Sequence, residues 1–301
     1  MSPLAAPSLI VHGGAGGVSA EDPEGSGAVA GCLAAVRAGY DVLARGGSAL
    51  DAAVQAVRVL EDDPRFNAGT GSVLNRDGDV ECDASVMSGD GRAGAVACVR
   101  DVKNPVVLAR LVMEQTPHVL LAGPGAEAFA DAHGVVRTPP GALATEAMRA
   151  RWQAARTGQP NGGGTVGCVA RDSAGRVAAA TSTGGTLLKL PGRVGDSAVI
   201  GAGTYADDAA GAVSCTGAGE AFIKAAAALR AVEAMRAGRS PAEAAAEALL
   251  WARRHGGAGG VICVDRTGDL GHAFDTARMA HAWIDRGGAT GSGFRHPTTP
   301  P

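Results

Sequence analysis

The sequence lacks an excess of charge, a long apolar run and an export signal. Lys and Arg number 27 against 30 Asp and Glu, so the formal net charge is only -3, and no basic run occurs. This balance argues against a nucleic-acid or anionic-membrane surface. Pro3 and Pro7 interrupt an apolar N-terminus that has no basic segment. We therefore expect a cytoplasmic protein with no nucleic-acid and no membrane partner.

Metal-binding spacings are also missing. None of the six cysteines forms a CxxC pair, and no HExxH motif is present. Most of these cysteines lie among apolar or small residues, which favours buried thiols in a reducing compartment over a structural zinc site.

Apolar residues and glycine are abundant instead. Hydrophobic residues make up 46% of the 301 residues and charged residues 19%, enough for a sizeable core in one large or two ordinary domains. Glycine occurs 46 times, about twice its average usage. Such an excess without a repeat predicts many tight turns and close backbone approaches, some of them lining a site.

Hydrophobic periodicity and turn residues predict alternating strands and helices. Predicted strands cover 8–12, 72–75, 80–86, 93–99, 165–170, 176–182, 199–202, 212–215, 260–265 and 269–274. Predicted helices cover 27–45, 48–60, 106–115, 127–133, 145–156, 220–237 and 241–255, and the tail after Gly287 is predicted to be irregular. Several strands are joined by tight turns, which predicts mixed or antiparallel sheets with helices outside.

A glycine-rich turn follows the first predicted strand. Glycines between a strand and a helix can bind a dinucleotide. Here the spacing fails, because G-x-G-x-x-G counted from Gly14 reaches Gly16 and then Ser19. An acidic stretch at 21–24 also precedes the helix and would repel phosphate. A tight structural turn near a site is the better interpretation.

A second glycine run, 162–164, leads directly into Thr165. A Thr hydroxyl becomes a nucleophile when its own α-amine takes the proton, which requires Thr at a chain N-terminus. That amine has an ordinary pKa of roughly 7.7–8.0, suitable for a base. Thr165 would become N-terminal only by cleavage after Gly164. The alternative is a solvated loop that enters an ordinary strand.

Two further loops carry polar groups suited to a charged substrate. Arg193 and Asp196 lie three residues apart and could hold the carboxylate and ammonium of an amino acid, or simply pair with each other. Thr216, before a predicted helix, could form an oxyanion hole with a Gly N–H or act as a plain N-cap. His12 and His118 are interpreted as packed or hydrogen-bonded histidines instead of catalysts.

Taken together and in order, seven motifs resemble the plant-type asparaginase/isoaspartyl peptidase family of N-terminal-nucleophile hydrolases. The motifs are VHGGAGG (11–17), FNAGTGS (66–72), VMEQTPHVLL (112–121), GTVG (164–167), TSTGG (181–185), GRVGDS (192–197) and SCTGAGE (214–220). The resemblance spans about residues 8–275 and leaves the tail past Gly287 outside.

The resemblance implies a fold and a set of roles. The fold would be α+β, a four-layer αββα sandwich, in a single domain over 1–301 that cleaves itself into an α chain (1–164) and a β chain (165–301). The implied site residues are Thr165 as nucleophile, Thr183 hydrogen-bonded to it, Arg193 for the substrate α-carboxylate, Asp196 with the Gly219 backbone for the α-ammonium, Thr216 and Gly217 as oxyanion hole, and Asn67 from the α chain.

The resemblance also implies partners. Main-chain carbonyls of Leu60, Glu61, Phe66, Ala68 and Thr70 would hold a structural Na⁺ or K⁺, and no organic cofactor is expected. The expected assembly is a homodimer of αβ units.

The implied reaction is hydrolysis of β-aspartyl dipeptides and L-asparagine. One alternative within the class is a glycosylasparaginase, which the absence of an acid in Thr216–Gly219 disfavours. The alternative outside the class is a small-molecule-binding protein that is never cleaved.

Overall fold

The computed structural model describes residues 6–16, 22–158 and 164–295. The strands are β1 (Ser8–Gly16), β2 (Cys82–Ser88), β3 (Ala93–Val99), β4 (Leu120–Ala122), β5 (Val166–Arg171), β6 (Val177–Thr183), β7 (Thr204–Asp207), β8 (Gly211–Gly217), β9 (Gly259–Asp265), β10 (Leu270–Phe274), β11 (Arg278–Ile284) and β12 (Thr290–Gly293). The helices are α1 (Ser26–Ala44), α2 (Ala49–Asp62), α3 (Pro105–Gln115), α4 (Gly123–Ala132), α5 (Glu146–Ala155), α6 (Gly219–Ala225), α7 (Ala227–Arg236) and α8 (Pro241–Arg254).

Eight strands form a large sheet in the order β12-β11-β1-β5-β6-β2-β3-β4. The pairings are antiparallel except for β3 with β4. Strand β1 lies between β5 and β11, and β2 pairs with β6. Strands from both sides of the 164–165 junction therefore share one sheet. The second sheet has four antiparallel strands, β10-β9-β8-β7.

The period of two along the strands builds the layers. In β1, Leu9 and Val11 join the core beneath α1 and α2, while Ile10 joins the core between the sheets. In β9, Cys263 faces the core shared with α7 and α8, while Ile262 faces the other sheet. Helices thus cover the outer face of each sheet, and the predicted αββα sandwich is confirmed.

The helix α2 starts as its sequence predicts. The Ser48 hydroxyl accepts from the Asp51 N–H, and the Asp51 carboxylate accepts from the Ser48 N–H, which completes a capping box. Among the described helices, α1 alone is apolar and long enough to cross a membrane by length and composition. Its residues Cys32, Ala35 and Val36 are buried in the core beneath the large sheet, as in a core helix of a globular domain.

The predicted hairpin over 72–86 is wrong. Residues 72–75 form no strand, because both edges of β2 are already paired with β3 and β6. Instead, the Leu74 carbonyl accepts from the Leu188 N–H, and the Arg76 N–H donates to the Lys189 carbonyl. This segment therefore joins the loop after β6.

Three other predictions need correction. The helix predicted over 220–237 is two helices, because Ala226 adopts φ 48° and ψ 49° between α6 and α7. The stretch 199–202 is a turn instead of a strand, and the strand lies at β7. The tail after Gly287 is partly regular, since β12 pairs with β11. The pattern also missed β4 and β11.

The cysteine prediction is confirmed for five of the six residues. All six are free thiols, and only Cys98 is partly exposed. Burial raises the pKa of Cys32 to about 12 and that of Cys82 to about 11. These thiols are therefore neutral near pH 7.

Candidate active site

One cleft joins residues from four of the sequence motifs. Its lining comprises Gly164, Thr165, Thr183, Gly185, Thr186, Arg193, Gly195, Asp196 and Gly217. Thr165 precedes β5 and is only 6% exposed. Thr183 ends β6, one residue beyond Ser182, which pairs with Val166 at the start of β5. Antiparallel pairing of these two strands therefore places the Thr183 hydroxyl beside Thr165.

Hydroxyl groups connect Thr165 to the peptide bond that precedes it. The Thr165 hydroxyl donates to Thr183 Oγ1 at 3.3 Å, and the Thr183 hydroxyl donates to the Gly164 carbonyl at 3.0 Å. The Gly185 N–H also donates to Thr183 Oγ1, at 2.9 Å. Thr183 thus accepts a hydrogen bond from Thr165 and donates one to Gly164. The bond to Thr165 is the one that the resemblance implied.

The Asn67 amide makes the second contact with this peptide bond. Its Nδ2 donates to the Gly164 carbonyl at 2.6 Å and to the Gly185 carbonyl at 2.7 Å. Its Oδ1 accepts from the Val73 N–H at 2.8 Å. Because all three bonds are made, the orientation of this amide is defined. Asn67 is thus close to the junction, as predicted, and touches Gly164.

The end of β1 packs against the same junction. Gly14 has φ +102°, and a Cβ there would lie 3.1 Å from the Gly164 Cα and 3.3 Å from the Thr165 nitrogen. Glycine is required for both reasons. Next along the strand, the Ala15 N–H donates to Thr216 Oγ1 at 3.2 Å. The glycine-rich turn is therefore a close backbone approach at the site, as interpreted from its spacing.

Thr216 is fully buried at the end of β8. Its oxygen accepts from the Ala15 N–H, so the hydroxyl keeps a hydrogen with which it can donate. The N-cap of α6 is Ala218, with no side-chain capping bond, so the N-cap interpretation of Thr216 is wrong. Gly217, which lines the cleft beside it, has φ +144°.

His12 makes a contact that sequence reasoning missed. Its Nδ1 lies 3.0 Å from the Thr165 carbonyl and its Nε2 lies 3.0 Å from Ser214 Oγ. Burial lowers the pKa of His12 to about 3, so the ring is neutral. Since a carbonyl only accepts, Nδ1 carries the hydrogen and Nε2 accepts from Ser214.

Beyond His12 a buried chain of hydroxyls crosses between the sheets. Ser214 Oγ lies 2.8 Å from Thr181 Oγ1, and the Thr204 hydroxyl donates to Thr181 at 2.6 Å. Gly167 makes room for this chain, because a Cβ there would lie 2.0 Å from Ser214 Oγ. His12, Gly167, Thr181 and Ser214 each belong to one of the seven motifs. Nothing in the sequence showed that these residues meet in the structure.

Arg193 and Asp196 both reach the cleft but do not pair with each other. Arg193 Nε and Nη2 bind the two Glu220 carboxylate oxygens, each at 2.9 Å. Asp196 is buried, and its Oδ2 has no hydrogen-bond partner within the described residues. The alternative of a local Arg193–Asp196 surface pair is therefore wrong.

Gly219 lies between the two charges. A Cβ there would be 2.8 Å from Arg193 Nη2 and 2.9 Å from Asp196 Oδ1. Burial raises the pKa of Asp196 to about 7, and its backbone hydrogen bond and Arg193 oppose this only in part. A buried carboxylate with a free oxygen beside an arginine is able to accept an ammonium group.

Asp83 on β2 is a second buried carboxylate, and it contacts the loop that carries Arg193 and Asp196. It accepts from the Cys98 N–H at 2.9 Å and from the Gly195 N–H at 3.3 Å. Burial raises its pKa, although Lys189 and both backbone bonds act against the rise. Asp83 therefore fixes the backbone between Arg193 and Asp196, a role that no motif indicated.

Comparison with known proteins agrees with this geometry. The family model described as asparaginase matches residues 5–292. The chain belongs to the asparaginase family. The match extends beyond the predicted limit near residue 275, in line with the ordered β11 and β12.

Several curated members of the asparaginase family are similar to this chain. A Xenopus laevis protein named isoaspartyl peptidase/L-asparaginase is 49% identical over 286 residues, covering 92% of both chains. A Rattus norvegicus protein of that name is 47% identical over 289 residues, covering 93% of this chain and 86% of its own. An Escherichia coli (strain K12) isoaspartyl peptidase is 44% identical over 294 residues, covering 91% and 92%. The protein is a hydrolase, as the motifs predicted.

The predicted cation ligands lie on the last turn of α2 and on the loop that follows it. Gly69 and Gly71 have positive φ, and carbonyl oxygens crowd their missing side chains. A Cβ at Gly71 would lie 2.8 Å from the Phe66 oxygen, and one at Gly69 would lie 2.7 Å from the Glu61 oxygen. Within the described residues Glu61 Oε2 is buried without a hydrogen-bond partner, and burial raises the pKa of Glu61 to about 8. Such an oxygen-rich cradle suits a hard cation.

Proposed function

We propose that the protein cleaves itself before Thr165 and then hydrolyses β-aspartyl dipeptides and L-asparagine. The observation that carries this proposal is the set of contacts at the 164–165 peptide bond. The Thr165 hydroxyl points to Thr183, and the carbonyl of Gly164 accepts from both Thr183 and Asn67. The nucleophile and the donors that polarise its target are thus assembled in the uncut chain.

Cleavage begins when Thr165 Oγ1 attacks the Gly164 carbonyl carbon. Negative charge develops on the carbonyl oxygen, where Asn67 Nδ2 and the Thr183 hydroxyl donate. The C–N bond then breaks, the leaving nitrogen takes up the proton that the Thr165 hydroxyl has lost and becomes the α-amine, and Gly164 becomes an ester on Oγ1. Water hydrolyses that ester, which leaves a Gly164 carboxylate and a free hydroxyl. The products are the α chain 1–164 and the β chain 165–301.

The two chains should remain one domain after the cut. Strand β1 is hydrogen-bonded on both edges by strands that follow the junction, and β2 pairs with β6. Separating the chains would expose the cores on both faces of the large sheet, which is a large cost in buried apolar area.

In the mature enzyme the new α-amine serves as the base. It removes the Thr165 hydroxyl proton as Oγ1 attacks the substrate side-chain carbonyl. The Thr216 hydroxyl, whose oxygen already accepts from Ala15, donates to the developing oxyanion together with the Gly217 N–H. The protonated amine then gives its proton to the leaving ammonia or amino acid, and water releases aspartate from the acyl-enzyme.

The substrate head group binds at the other end of the cleft. The Arg193 guanidinium takes the α-carboxylate, and Asp196 with the Gly219 backbone takes the α-ammonium. The free Oδ2 of Asp196 supports this assignment, because binding the ammonium supplies the partner that the buried carboxylate lacks.

We further propose a Na⁺ or K⁺ ion between the last turn of α2 and the loop that follows it, bound by main-chain carbonyls of Leu60, Glu61, Phe66, Ala68 and Thr70. The crowding of oxygens around Gly69 and Gly71 supports it. Pro64 has no N–H, so it cannot occupy the Leu60 carbonyl as the next helical turn would. The ion would rigidify the segment that leads to Asn67.

We also propose a cytoplasmic homodimer of αβ units. Six free cysteines support a reducing compartment. The dimer rests on the resemblance, and light scattering of the purified protein would test it.

An assay of the purified protein on three amides tests the activity. We expect turnover of β-Asp-Leu and L-asparagine and little turnover of glycosyl-asparagine. Thr165→Ala should turn over none of them, and Thr267→Ala, an exposed threonine far from the site, should match the parent. Turnover by uncut Thr165→Ala would contradict the proposal.

A further inference from the structure

The guanidinium of Arg193 has two edges that can each bind a carboxylate. The side edge consists of Nε and Nη2, and the end edge consists of Nη1 and the second hydrogen of Nη2. Glu220 takes the side edge with both of its oxygens, at 2.9 Å and 2.9 Å. Within the described residues Glu220 is the only side chain that binds this guanidinium, so the end edge is left for another ligand.

Two glycines show which way the end edge faces. A Cβ at Gly195 would lie 2.8 Å from Nη1, and a Cβ at Gly219 would lie 2.8 Å from Nη2. The Gly219 position is also 2.9 Å from Asp196 Oδ1. Nη1 therefore lies beside Gly195 and Nη2 lies near Asp196 across Gly219, and Arg193 and Asp196 both line the cleft, so a carboxylate and an ammonium on one carbon could be bound there together.

Glu220 is in the first turn of α6, which begins shortly after β8 ends with Thr216 and Gly217. Its side chain is 64% exposed while that of Arg193 is only 15% exposed. The hydrogen bonds from Arg193 lower the pKa of Glu220, so it is ionised at neutral pH. An exposed carboxylate thus holds a mostly buried arginine and ties it to the start of α6.

We propose that Glu220 is a positioning residue that sets the enzyme's selectivity for substrates with a free α-carboxylate. By binding the side edge, Glu220 holds a long and flexible side chain in one rotamer, with the end edge presented to the substrate. This rests on the proposed role of Arg193 as carboxylate ligand.

The test compares Glu220→Ala and Glu220→Gln with the parent on two substrates. One substrate is β-Asp-Leu. The other is the same dipeptide in which the α-carboxylate of the aspartyl residue, and not that of leucine, is converted to a carboxamide. Glu233→Gln on α7 is the matched control, because it also removes one exposed carboxylate paired with an arginine, Arg236. All proteins are first confirmed to be fully cleaved.

For Glu220→Ala we expect KM for β-Asp-Leu to rise about tenfold, the scale of one weakened charged hydrogen bond, with kcat much less affected. Glu220→Gln keeps the shape and one acceptor, so its rise should be smaller. The carboxamide substrate has no carboxylate for the end edge of Arg193 to bind, so its KM should be nearly the same in all variants. Glu233→Gln should match the parent on both substrates.

Three results would overturn the proposal. A lower KM for β-Asp-Leu would show that Glu220 competes with the substrate for Arg193. An unchanged KM would show that Arg193 needs no support. Equal losses on both substrates would show a general structural defect. If the parent itself fails to hydrolyse β-Asp-Leu, the proposed function is wrong, and that outcome is separate from these three.

Discussion

The side-chain amide of Asn67 donates a 2.6 Å hydrogen bond to the carbonyl oxygen of Gly164. These residues are 97 positions apart in sequence, and the contact spans the junction that the motifs predict to be cut. A donor at this oxygen stabilises charge that develops when the adjacent hydroxyl attacks. Asn67 therefore belongs to the maturation step in our account.

Asn67→Ala should slow self-cleavage. Loss of one oxyanion donor costs about 10²–10³ in rate, so the variant should purify largely uncut. A time course on a denaturing gel measures this, with Asn104→Ala as the control, since that amide binds Asp62 away from the junction. Cleavage of Asn67→Ala at the parent's rate would remove Asn67 from the mechanism.

Thr216→Val should impair catalysis in protein that is already cleaved. Valine keeps the shape but removes the hydroxyl that accepts from the Ala15 N–H and that we propose donates to the oxyanion. We expect kcat to fall by about 10²–10³ with little change in KM. The cleavage state must be checked by mass first, because an uncut precursor would imitate this defect. Near-parent kcat in a fully cut variant would place the oxyanion elsewhere.

Asp196→Asn should make the protein more stable while disabling it. The pKa of buried Asp196 is raised from an ordinary 3.8 to about 7. As pH rises through this window the unfolded chain loses the proton first, so the folded state loses stability, and the cost is complete above about pH 7. The gain in Tm for Asp196→Asn should therefore be larger at pH 8 than at pH 5.

This comparison is best made in a Thr165→Ala background, where the chain is expected to stay uncut. With Thr165 intact, Asp196→Asn should lower kcat/KM at least about tenfold, since a charged hydrogen bond to the ammonium is lost. A gain in Tm that does not depend on pH would mean that Asp196 is already ionised at low pH in the folded state.

Ser214→Ala should destabilise the core between the sheets. It leaves Nε2 of neutral His12 and the Thr181 hydroxyl without their shared partner. An unpaired buried polar group costs about 1–3 kcal/mol, so the free energy of unfolding of an uncut Thr165→Ala chain should fall by about that much. Denaturant unfolding measures it, and Ser292→Ala on the exposed edge strand β12 is the control. Equal stability of the two variants would show that the hydroxyl chain contributes nothing.

The motifs named residues that the structure brings into one cleft, whereas local patterns did not predict several of the connections between strands. The strands β3 and β5 and the capping box at Ser48 follow from local patterns, and the structure agrees with them. Residues 72–75 have strand-like composition, but β2 has no free edge to pair with them. The pairing of β2 with β3 and β6 therefore prevents a strand at 72–75, and a local sequence pattern does not show such long-range pairing.

The break at Ala226 is a second case. Alanine favours helices, yet this residue adopts a left-handed conformation. The next amides are bound by another loop, with the Ala228 N–H on the Ala202 carbonyl and the Leu229 N–H on the Gly201 carbonyl. The contact between Arg193 and Glu220 is a third case. The motifs contained both residues, but the contact depends on where α6 begins relative to the Arg193 loop, which no local pattern reports.

The mass of the purified protein tests the central claim most directly. We expect two fragments, 1–164 and 165–301, with Thr165 at the new N-terminus, and an uncut chain for Thr165→Ala. Thr165→Ser should be cut more slowly, because it retains a hydroxyl. An intact chain that still hydrolyses β-Asp-Leu, or efficient cutting of Thr165→Ala, would contradict the account.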